Sequence, residues 1–282
     1  MQGKIARILQ LAHCVPMTCI GFLILTMLQT DTLALQIQKA INTGDSYQAT
    51  EIMARQGDAK TVARAYAEVT RDLYRRIRDL PAFIVLSRQG IDYFLSRAAE
   101  ADRTSSALAE EFRGTAKTLS YNLASNTWPG WNEAGIRITP SDIDAGMDAA
   151  RLNLRLAIEL KRGPDPMFNA HWIVGALELA RGNHADAIRS YEQARQVAND
   201  ANLRAYALLA GGSIAIAKVA GKVDTAQGER ELSQVKSALT SENLADGKFF
   251  ANQLDTAYQV FVKGAHENPG SQPPNPTPSL QR

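Results

Sequence analysis

The sequence predicts an all-α fold, a superhelix of antiparallel helix pairs, and three observations predict it. Apolar residues recur every three or four positions through most of the chain, as at Val62, Tyr66, Val69, Leu73 and Ile77. Short stretches rich in Gly, Pro, Asn or Asp interrupt that rhythm at the lengths expected of helix-helix turns. A glycine followed five positions later by alanine occurs at Gly44 and Ala49, at Gly182 and Ala187, and at Gly221 and Ala226. Such spacing marks a recurring helix-turn-helix unit.

In a chain of 282 residues, 45% hydrophobic content is enough to bury a core. The 31 basic and 29 acidic side chains leave a net charge of +2, too little to steer the molecule onto nucleic acid. Cys14 and Cys19 are the two cysteines, so no disulfide framework exists beyond residue 19.

At the N-terminus, Lys4 and Arg7 precede an uncharged apolar run that is densest from Cys19 to Leu28, the pattern of an export signal. Thr32, Leu33 and Ala34 offer small residues at the spacing a signal peptidase reads, which makes 1–34 the signal peptide and Leu35 the mature N-terminus. The rival reading is an uncleaved anchor, since Ile8 to Leu28 approaches the roughly 20 residues that span a bilayer. Both readings imply a periplasmic or secreted body. Only the second ties it to a membrane.

Residues 35–264 read as the helical domain. A first helix holds Ile37, Ala40 and Ile41, and the run from Asp58 to Leu80 reads as one long amphipathic helix. Pro81 then opens the next helix, where its missing N–H costs nothing. Within that helix Gly90 marks a close crossing. A further helix from Thr104 to Ala124 carries Leu108, Phe112, Ala116, Leu119 and Leu123 on one face. The rhythm breaks from Ser125 to Pro140, a loop holding Trp128 and Trp131. Two indoles with N–H groups on a loop suit binding of a peptide or a sugar ring, or pin the loop to the helices beneath it. Thr139, Pro140 and Asp142 form a capping box for a helix running to about Lys161. Asp142, Asp144 and Asp148 lack the glycine and closing glutamate of a calcium loop, and read as acids in a helix's first turns. From Ala205 to Gly221 the chain carries no charge before Lys218, as a buried helix requires. A last amphipathic helix over 247–263 caps the array, and residues 265–282, with five prolines and almost no apolar content, read as a disordered tail.

The stretch from Phe168 to Ala198 carries the most specific pattern: Gly175, Gly182, Ala187, Tyr191 and Ala194 sit where two helices must approach, turn and receive the next pair. In these residues the chain resembles the tetratricopeptide repeat family over about one period of roughly 34 residues. It departs from the pattern at Glu178, where an aromatic is usual. The resemblance implies a right-handed superhelix, a TPR-like α-solenoid, whose first helices line a groove for extended peptides. On this chain those groove positions are Asn169, Trp172, Ala176 and Leu179. Asn169 would hold a ligand backbone and Trp172 would form an apolar wall.

Motifs of chemistry are absent from the sequence. His171 and His184 have no HExxH spacing, and no nucleophile elbow or phosphate loop occurs. No metal or other cofactor is implied. Arg71, Arg75, Arg76 and Arg78, interleaved with Asp72 and Asp79, read as a solvated helix face. The expectation is therefore an exported scaffold, not an enzyme, whose partner is a protein or peptide and not nucleic acid. An envelope hydrolase with an active site scattered over several helices is the alternative.

Overall fold

The computed structural model describes residues 33–264. Most of the expected signal or anchor and all of the expected Pro-rich tail lie outside the described residues. Among those described, every regular element is helical and no strand occurs. None of these helices is long and apolar enough to cross a membrane. The chain divides into two compact units, Met1–Ile77 and Arg78–Arg282.

In the first unit, α1 covers residues 33–42, α2 Ser46–Ala54 and α3 Ala59–Asp72. Ala34 belongs to α1 and is fully buried, so a cut after Ala34 would open the mature chain inside that helix. Asp45 and Asp58 cap α2 and α3, accepting hydrogen bonds from the Gln48 and Thr61 amides at 2.8 Å. The helix expected to run on to Leu80 instead widens into a π-helical turn, Leu73–Ile77, and stops at Arg78 with φ 63°. Continuing it would drive the Pro81 ring against the Ile77 carbonyl. Asp79 starts a new helix, its carboxylate accepting from the Ala82 amide at 3.0 Å.

The second unit stacks α4 (Leu80–Ala101), α5 (Ser106–Asn126), α6 (Pro140–Glu159), α7 (Pro164–Ala180), α8 (His184–Asp200), α9 (Arg204–Ala220), α10 (Thr225–Ser241) and α11 (Gly247–Phe261). Successive helices of this unit pack on one another, while α11 also packs on α9, α5 touches α7, and α7 touches α9. The expected capping box is present: the Asp142 amide donates to Thr139 Oγ1, and the Thr139 amide donates to the Asp142 carboxylate at 2.8 Å.

One turn type joins successive helices at five of the ten junctions among the described residues. The residue after the helix takes positive φ at Gly44, Lys161, Gly182, Asn202 and Lys222, and the next amide reaches back five residues to a helix carbonyl. The structure departs from the spacing of Gly221 and Ala226. Gly221 keeps a helical φ of −78° and Ala226 is exposed, because Lys222 and Asp224 make the turn and lengthen it. The small residue at that crossing is Gly228, where a Cβ would meet the Ala215 carbonyl at 3.0 Å and Val219 Cγ2 at 2.7 Å. At the α7–α8 crossing the expected residues hold: a Cβ on Gly175 would lie 2.8 Å from the Tyr191 ring and 3.1 Å from the Ala187 carbonyl.

α11 does more than close the end. It packs on α9 and α10 and also reaches the 3₁₀ turn Pro129–Trp131 that follows α5. Gly212 admits it to α9, since a Cβ there would fall within 2.9 Å of Leu254.

Candidate functional site

The expected groove residues lie on α7, and the structure turns three of them inward. Trp172, Ala176 and Leu179 are 4%, 0% and 4% exposed, and only Asn169 is partly open. The Trp172 indole donates to Ser213 Oγ on α9 at 3.1 Å and stands edge-on to Trp128 at 5.1 Å between ring centroids. Trp128 is itself 1% exposed, packed against Trp131 at 5.0 Å and against Phe261 of α11 at 6.1 Å. Trp131, partly exposed, donates its N–H to the Ser125 carbonyl at 2.9 Å, which ties the loop to the end of α5. A void of about 10 Å³ remains among Trp128, Trp172, Tyr191, Ser213 and Leu254, room for no more than one water. As folded, the inner face is filled by its own indoles and by α11.

Glu178 explains its departure from the repeat pattern. It is almost buried, receives the Asn183 amide at 2.7 Å, and receives Arg151 of α6 at 3.4 Å. A carboxylate joining α6, α7 and the start of α8 thus replaces an apolar contact with a polar clamp.

An open furrow lies elsewhere. α8 and α10 both pack on α9, and the space between them is a groove of about 560 Å³. Its floor is Ala207, Leu208, Gly211 and Val235, and its rim carries Glu192, Gln193, Arg195, Gln196, Asn199 and Arg204. The rim is exposed whereas Ala207 and Leu208 are buried, so an apolar floor meets walls of amides and charges. Arg204 is held by Glu242 through hydrogen bonds of 2.9 and 3.1 Å, and that bond raises its pKa further. Arg195 adds to the field that keeps the Glu231 carboxyl below its ordinary value, an effect due first to the Lys218 hydrogen bond. The sequence carries no signal of this furrow, because its amides look like any helix surface.

Titratable groups shifted by burial lie on α5, α7, α8 and α9. His171 is pushed down by burial, Tyr121 up by burial and by Tyr206, and Tyr191 up by burial alone. Lys117 is pushed down by burial and by the neighbouring Arg162 charge. His184 packs against Gly221, and no group of three His, Cys, Asp or Glu among the described residues is arranged to hold a metal. The arginine run divides: Arg76 pairs with Asp72 at 3.3 Å, and Arg78 donates to Glu133 at 2.9 Å and to the Ala134 carbonyl.

Compared with known proteins, the chain matches no family model, no curated protein and no solved structure.

Proposed function

We propose that the protein is a TPR-like helical scaffold, right-handed in its superhelix, that binds an extended peptide or protein segment in the α8–α10 furrow. The observation that carries this reading is the furrow itself, an open groove of about 560 Å³ within the range of ligand sites. Carboxamides both donate and accept, so Gln193, Gln196 and Asn199 suit the alternating N–H and C=O groups of a peptide backbone. The floor around Gly211 suits a small apolar side chain. The N-terminal Lys4, Arg7 and apolar run support placing this scaffold in the cell envelope.

Gly211 supplies the test. A Cβ there meets only Val235 at 3.7 Å, ordinary contact, so a side chain leaves the backbone without a clash, and Gly211→Leu puts bulk on the floor. Peptides selected from a random library against the full chain should lose binding at least about tenfold in this variant, the equivalent of roughly 1.4 kcal/mol. The thermal midpoint should hold or rise, since replacing a helix glycine is intrinsically favourable by up to about 1 kcal/mol. Unchanged affinity would remove the furrow from the account.

A further inference from the structure

Lys117 and Arg162 are two cations placed together without an acid. Gly114, Lys117 and Tyr121 follow at intervals of three and four on α5 and so share one of its faces. The positive-φ turn at Lys161 then throws Arg162 across that face, so that a Cβ on Gly114 would lie 2.7 Å from its Nη2. Asn153, fully buried on α6, donates to the Lys117 carbonyl at 2.8 Å and fixes this part of α5. Both cations are half-buried, and neither head group takes part in a hydrogen bond or ion pair among the described residues. Neighbouring Arg113, by contrast, is paired with Asp102. Of the two acids three residues from Arg162, Glu159 pairs with Arg155 at 3.6 Å and Asp165 acts on Tyr206, and the charge felt by Lys117 is that of Arg162.

Holding two like charges in a partly desolvated place is unfavourable unless something neutralises them. One group with two negative charges and several acceptor oxygens does so best, and a guanidinium fork beside an ammonium matches it. We infer that Gly114, Lys117 and Arg162 form an anion site for a phosphoryl group, as free phosphate or as a phosphomonoester. The Gly114 backbone gives the guanidinium its room. The site is distinct from the peptide furrow, and neither depends on the other.

Titration calorimetry of the full chain with inorganic phosphate and with glycerol 3-phosphate tests this, with acetate as the comparison. Saturable binding of either phosphate, tighter than acetate by at least about tenfold, is expected, and the tighter of the two shows whether the group arrives free or esterified. Lys117→Met and Arg162→Gln should each weaken it at least about tenfold. Gly114→Ala keeps every charge and favours the helix, yet should weaken binding by displacing Arg162. Arg155→Gln, at an exposed pair with Glu159, should leave it unchanged. The inference is overturned if neither phosphate binds saturably, if acetate binds equally well, or if Arg155→Gln weakens binding as much as Lys117→Met.

Discussion

His171 is half-buried midway along α7, and burial holds its imidazole below the ordinary value of 6.5. The neutral ring is the form the fold accepts. As pH falls through the native pKa, the unfolded chain has already taken up its proton, so the stability that this residue contributes above pH 6.5 is lost on the acid side. Chemical denaturation at pH 7.5 and pH 5 should show a larger loss in the wild type than in His171→Gln. An equal loss would mean that His171 titrates alike in both states. Glu178 is the other residue whose surroundings decide its role. Buried beside Asn183 and Arg151, it is a carboxylate at a position where the tetratricopeptide pattern that the sequence resembles has a ring.

Among the elements, α9 carries two adjacent glycines with opposite duties. Gly211 looks into the furrow, whereas Gly212 lies under Leu254 of α11. Leu254 is buried and has little room to retreat. Gly212→Ala should therefore cost about 1 to 3 kcal/mol through overpacking, while Gly211→Ala should be neutral or stabilising by up to about 1 kcal/mol. Because α11 also covers Trp128, acrylamide should quench tryptophan emission more strongly in Gly212→Ala alone. Equal stability and equal quenching in the two variants would place α11 elsewhere.

The same elements show what a sequence reveals. Periodicity located the helices because apolar spacing of three or four is imposed by burial on one face, and Gly175 and Ala187 marked a crossing because only small residues fit there. Lys161, Asn202 and Lys222 adopt the turn that Gly44 and Gly182 also adopt, yet a lysine or asparagine does not announce positive φ, so the spacing from Gly221 to Ala226 points to the wrong turn residue. The groove positions followed from a resemblance that could not foresee α11: contacts between Trp128 and Phe261, distant in sequence by more than a hundred residues, leave no local periodic trace. The furrow was invisible for the opposite reason. It is made of ordinary exposed amides whose convergence depends on how α8 and α10 separate over α9.

For the molecule as a whole, the second unit combines a stacked helical array, an inner face occupied by its own side chains, and an open groove on another face. On the proposed reading, recognition lies with the amides of α8 and the floor of α9 rather than with the four α7 positions. Photo-cross-linking tests this most directly, using a selected peptide with a photoreactive residue at its centre and mass spectrometry to map the attachment on the intact chain. The account predicts adducts on Gln193, Gln196, Asn199 or Val235. Adducts confined to Asn169, Trp131 or α11 would contradict it and return the site to the inner face.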